Sequence, residues 1–156
     1  TLEVWFKTTT GGGKLIGLGS SQTGSSSNYD RHLYMTDAGK IVFGVYDPNI
    51  FNPHAVTITS PSTYLDGAWH YAAATFEGGL FGGGMKLYID GALVGSNSNT
   101  ASQSYTGYWR VGYDNLSGWP SAPSSYYFNG TLDEPAIYHT DLSAAAIANH
   151  HNVGRG

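Results

Sequence analysis

The run from Met85 to Val94 constrains this chain more tightly than any other segment. Met85, Leu87 and Ile89 alternate with Lys86, Tyr88 and Asp90, the period-two pattern of a strand with one buried face. Asp90-Gly91 then supplies two residues that tolerate positive φ, as a two-residue hairpin turn requires, and Leu93 and Val94 carry the returning strand. A further strand built on Trp69-His70-Tyr71 precedes the hairpin. Three successive antiparallel strands are thus written into one stretch, and they exclude a helical or parallel-sheet core there.

The same alternation predicts strands at 2–7, 15–18, 29–36, 41–46, 55–59, 108–113, 126–128 and 132–138. Turn residues separate them, including Asp37-Ala38-Gly39-Lys40 and Asn129-Gly130. Pro135 interrupts the last strand and has no N–H to give a neighbour, so position 135 belongs at a bulge or facing away from a partner. Residues 142–153 are Ala-rich and read as one short helix, with Asp141 or Ser143 as its N-cap. The fold class is therefore all-β, an antiparallel two-sheet jelly-roll sandwich with one short C-terminal helix. At 156 residues the chain makes a single domain, 1–156. Aromatics at 14% and charged residues at 12% suit such a sandwich and oppose disorder.

Composition also removes function classes. The net charge of −4, with no basic stripe, argues against a nucleic-acid partner. There is no cysteine, hence no disulfide, thiolate metal site or Cys nucleophile. No run approaches the roughly 18 apolar residues of a membrane span, so no membrane insertion is expected. The chain opens directly on a strand, as a module cut from a longer protein would.

Several segments resemble laminin G-like, concanavalin A-like jelly-roll domains of secreted multi-domain bacterial proteins. They are the runs 2–8, 29–34, 66–70, 86–91 and 129–138, and the closing helix with Ile147 and His150. The resemblance implies a secreted or cell-surface recognition module, joined to neighbouring domains of a larger parent chain, often with one bound calcium ion. Two departures stand out. The family's usual strand upstream of Leu2 is missing, which predicts an open sheet edge at residues 2–7, and Pro135 stands where the family has an aliphatic residue.

Glycanases on related folds need two carboxylates flanking a glycosidic bond. Only Glu3, Glu77 and Glu134 are glutamates, and Asp133 and Glu134, as adjacent strand residues, are expected on opposite faces. No catalytic residue is assigned. Calcium would take oxygen donors, and Asp114, Asp30 and Asp133 are the candidates, with Asp47 a further one. Turn capping by the same side chains is the competing reading.

Sugar rings stack on aromatics while their hydroxyls seek polar side chains. Trp119, in a loop with Asp114 and Asn115 and close to Tyr113, is the leading candidate for such a contact. The competing reading makes it a plug packed on the sandwich. Asp30, Arg31, His32 and Tyr34 form a second cluster, read either as a binding face or as a structural Asp–Arg pair. Trp5 and Trp69 are expected inside strands, and Trp109 is ambiguous. The resulting expectation is a non-catalytic module that binds a glycan or polysaccharide, calcium-assisted. The alternatives are an adhesion module docking through the open edge and, less favoured, a glycoside hydrolase.

Overall fold

A computed structural model describes residues 1–155. Ten strands and one helix follow in chain order. They are β1 (Leu2–Lys7), β2 (Lys14–Gly19), β3 (Tyr29–Met35), β4 (Ile41–Asp47), β5 (His54–Thr59), β6 (His70–Glu77), β7 (Gly84–Ile89), β8 (Ala92–Asn97), β9 (Tyr108–Val111), β10 (Thr131–Ile137) and α1 (Ala144–Gly154). They form two five-stranded antiparallel sheets, ordered β10-β1-β6-β7-β8 and β5-β4-β3-β2-β9. The sheets face each other across one core in which the inward residues of the alternating strands meet. Leu2, Val4 and Phe6 of β1, Ala72 and Ala74 of β6, and Met85, Leu87 and Ile89 of β7 come from the first sheet. Leu33 and Met35, with Ile41, Phe43 and Val45, answer from the second.

Both sheets are also covered on part of their outer faces. On the first, α1 lays Ile147 onto Trp5, Tyr71, Ala73 and Tyr88. Ser143 is the N-cap, its side chain accepting from Ala146 N. On the second, the loop after β9 lays Leu116 and Trp119 onto Tyr34 and Val42. Gly44 makes room for the Trp119 ring, since a Cβ there would lie 2.4 Å from Cζ3.

The hairpin turn forms as expected: Asp90 (φ 52) and Gly91 (φ 77) are both left-handed. Pro135 lies at a register shift between β1 and β10, where Glu134 is left-handed (φ 47), so the missing N–H costs no regular ladder bond. Three expectations need correction. β1 pairs with β10 on one side and β6 on the other, so residues 2–7 are internal and not an open edge. Residues 126–128 form no strand. Trp69 precedes β6 and is 42% exposed, because Asp66 accepts from Ala68 N in a tight turn and left-handed Gly67 delays the strand until His70.

Candidate functional site

The residues singled out around Trp119 lie on the outer face of the second sheet, and most are inside the protein. Asp30, His32, Tyr34 and Asp114 are wholly buried, and Trp119 is 7% exposed. Trp119 packs edge-on against His32 at 4.1 Å between ring centroids. It is the plug of the competing reading and offers only an edge to the surface hollow beside it, which is lined also by Tyr29, Tyr46, His54 and Gln103.

The Asp30 carboxylate accepts from the backbone N–H groups of Arg31, Tyr46 and Gln103. Burial nevertheless raises its pKa. Arg31 Nε lies 3.5 Å from the same carboxylate, and its Nη2 donates to Gln103 O, so the structural Asp–Arg pair holds. Asp114 accepts from Ser26 N, Ser26 Oγ and Asn115 N. Asn115 donates to Ser26 O and accepts from Ser117 N. Tyr113 stacks on Tyr127 at 4.0 Å. These groups tie the loops of residues 20–28, 98–107 and 112–126 to the sheet, and their polar atoms are largely spent in doing so.

Calcium does not fit the donors proposed for it. Asp114 faces two cations, Lys14 Nζ and Arg110 Nη1, each 3.8 Å away, and its oxygens are already filled by N–H and O–H donors. Asp30 is filled by three N–H groups, and Asp133 lies on β10 in the other sheet, where its Oδ1 accepts from Glu134 N. Asp47 caps its own turn at Asn49 N. Among the described residues no three His, Asp or Glu side chains stand together as ligands.

Sequence reasoning missed what lies beneath the plug. Lys14 is wholly buried with no hydrogen-bond partner for Nζ, and burial lowers its pKa to about 8 despite Asp114. His32 beside it has neither ring nitrogen bonded, and burial, then the Lys14 charge, holds it uncharged. Position 14 follows three glycines and carried no apolar pattern that would have betrayed its burial.

The open, polar-and-aromatic cavity is on the opposite side of the molecule, where the first sheet meets the end of α1. It has a volume of about 570 Å³. Trp69 and His70 enter it from the start of β6, Asp90 from the hairpin turn, Trp5 from β1, and His151 from α1. Asp133 and Glu134 of β10 complete it. Their expected separation onto opposite faces is overturned by the bulge. Asp133 pairs with Trp5 and so faces outward, and the left-handed turn at Glu134 brings the next side chain to the same cavity instead of into the core.

Two histidines frame this cavity in different ways. His70 is clamped, its Nδ1 2.9 Å from Asp90 Oδ2 and its Nε2 3.1 Å from Asp66 Oδ1. Burial opposes charge on this ring, but hydrogen bonds and charge from Asp90 and Asp66 outweigh it, and its pKa rises. Asp90 spends its other oxygen on Tyr71 N. His151 stacks on Trp5 with 5.5 Å between centroids and is 9% exposed, and its imidazole makes no hydrogen bond among the described residues. A second hollow of about 450 Å³ adjoins the first past Gly154 and shares Trp5 and Glu134 with it. There Glu3 holds His150 Nδ1 at 3.0 Å, which fastens α1 to β1.

The arrangement can hold a ring against an indole and bond hydroxyls or amines with carboxylates and imidazole. Asp133 and Glu134 stand side by side on one strand, whereas glycosidases place carboxyls on the two sides of the scissile bond, and Asp90 has both oxygens committed.

The comparisons agree with this architecture. Over 96% of this chain, the fold superposes on 80% of the carbohydrate-binding module CBM40 of the Ruminococcus gnavus IT-sialidase, with a TM-score of 0.67 and 19% identity. The same module bound to alpha2,3 sialyllactose matches with a TM-score of 0.61 and 18% identity, over 96% of this chain and 80% of that one. Domains LG4-5 of the mouse laminin alpha1 chain match with a TM-score of 0.53 and 21% identity, covering 86% of this chain and 33% of that one. Among curated proteins, Colossin-C of Dictyostelium discoideum is 28% identical over a match of 106 residues that covers 62% of this chain and 11% of the relative. The chain thus spans about a ninth of that relative's length. A family model covers residues 1–148, all ten strands and the first half of the closing helix, and the chain belongs to the concanavalin A-like lectin/glucanases superfamily.

Proposed function

We propose that this domain is a non-catalytic glycan-binding module whose contact surface is the Trp69 cavity, and that it holds a larger parent protein against an extracellular polysaccharide or glycan. The observation that carries the reading is Trp69 itself. It is a large aromatic that the core does not use, 42% exposed at the mouth of a cavity lined with carboxylates and imidazole. Pyranose rings present apolar faces to such an indole and hydroxyls to such acceptors, and oriented polar groups at a concave apolar surface are what small-molecule recognition uses. The adjoining hollow past Gly154 gives room for further sugar units.

The comparisons support the class of ligand but not its identity. The structurally similar module of the sialidase is described with sialyllactose bound, and laminin domains share the fold. Affinity per site is expected to be modest and to gain from attachment to a parent chain. The absence of a flanking carboxyl pair supports the non-catalytic assignment.

The test is a glycan and polysaccharide array probed with the wild-type domain, Trp69→Ala and Trp119→Phe. Binding that is lost with Trp69→Ala and kept with Trp119→Phe supports this cavity. Binding that survives Trp69→Ala and fails with Trp119→Phe would move the site to the other sheet.

A further inference from the structure

This inference rests on the glycan-binding reading above and concerns the charge of the ligand. Four carboxylates, those of Asp66, Asp90, Asp133 and Glu134, stand in or beside the Trp69 cavity. Against them stand one arginine, Arg155, at the exposed end of α1, and His70, whose ring is already held between Asp66 and Asp90. Even with His70 protonated, the cavity keeps a net negative charge. A carboxylate-bearing sugar placed there would meet that net repulsion with a single guanidinium, Arg155 at the exposed end of α1, to set against four carboxylates.

The polar groups left unspent are of the opposite kind. Glu134 is exposed, and its carboxylate has no partner among the described residues. Asp133 uses one oxygen on Glu134 N and keeps the other. His151 is nine-tenths buried, lines the cavity, and has ring nitrogens with no hydrogen bond among the described residues. Those nitrogens stay accessible from the cavity and can donate to or accept from a polar group supplied there. Trp69, 42% exposed, supplies an aromatic face, which attracts a cation held over it.

We propose that the Trp69 cavity takes a glycan carrying free amines, a glucosamine-type polysaccharide in its deacetylated form, in preference to a sialylated or otherwise anionic one. The sugar ring lies on Trp69, its ammonium meets Glu134 and Asp133, and a hydroxyl reaches His151.

Titration calorimetry in mildly acidic, low-salt buffer tests this with four soluble probes: a glucosamine oligomer, its fully N-acetylated counterpart, a neutral glucan oligomer and sialyllactose. The glucosamine oligomer is expected to bind at least tenfold more tightly than the N-acetylated one, and its affinity to fall as salt rises. The double variant Asp133→Asn/Glu134→Gln, both exposed positions, is expected to remove that tenfold difference. Trp69→Ala is expected to weaken every probe that binds. Equal binding of the amine and acetylated forms, both dependent on Trp69, overturns the amine inference and leaves the glycan reading standing. Tighter binding of sialyllactose overturns it as well. Glucosamine binding that ignores both Trp69→Ala and the double variant is attraction to the protein's overall charge and overturns the inference. No binding of any probe to the folded domain overturns both readings.

Discussion

Lys14 gives the sharpest energetic test of this structure. Its ammonium is wholly buried, makes no hydrogen bond, and sees Asp114 only at 3.8 Å. Burial lowers its pKa from 10.5 to about 8 even with that carboxylate beside it. Each unit of difference corresponds to about 1.4 kcal/mol, so a charged Lys14 costs the folded state on the order of 3 kcal/mol at pH 7. The sign follows from proton counting. Between about pH 8 and the unfolded value of 10.5 the unfolded chain binds the extra proton, so this cost disappears as pH rises through that window and is fully present below it.

Lys14→Met keeps the unbranched stem and removes the charge. Asp114 keeps Ser26 N, Ser26 Oγ, Asn115 N and the nearby Arg110, so the carboxylate is not stranded. Urea unfolding at pH 7 is expected to show the variant more stable by about 1–3 kcal/mol, the lower bound allowing for the lost attraction to Asp114. Repeating the measurement toward pH 10 is expected to close the gap, and because both proteins carry the same tyrosines the difference isolates position 14. A variant less stable than wild type by more than about 1 kcal/mol at pH 7 would refute the reasoning, because the buried pair would then be net favourable.

Three further outcomes follow from particular contacts. Gly91→Ala places a Cβ at φ 77, 3.1 Å from His151 Nδ1 and 3.3 Å from Ala148 Cα; thermal unfolding is expected to show a loss of about 1–2 kcal/mol, and an unchanged Tm would mean that α1 does not rest on this turn. His70 should titrate by NMR above the ordinary imidazole range, and Asp90→Asn should bring it down; its contribution to stability is present at mildly acidic pH and lost as pH rises through its elevated value. Asp66 works from the other side, its lowered pKa letting that support fade as pH falls into the carboxylate range. Calcium and EDTA are expected to leave Tm unchanged, since Asp114, Asp30 and Asp47 are already bonded within the fold; a rise of several degrees in calcium would reveal a site outside these donors.

The fold was legible because alternation and turn chemistry agree along the chain. Met85, Leu87 and Ile89 do point to the core, Asp90 and Gly91 do adopt the left-handed turn, and Pro135 does sit at a bulge. The site was legible only in kind. Trp119 is buried and Trp69 exposed, the reverse of what their local sequence suggests, because a loop with few apolar neighbours can still fold flat over Gly44 and His32, and a tryptophan next to a strand need not join it. Asp133 and Glu134 share a cavity because one left-handed residue breaks the period-two rule. Lys14, His32 and His151 acquire their environments from segments far away in sequence, and no local pattern marks them.

The measurement closest to the central claim is an NMR titration of the domain with a glycan that it binds, followed at the indole N–H signals of its four tryptophans. The account expects Trp69 to shift most and Trp5 with it, while Trp119 and Trp109 stay fixed. Movement of Trp119 or Trp109 with Trp69 silent would contradict it.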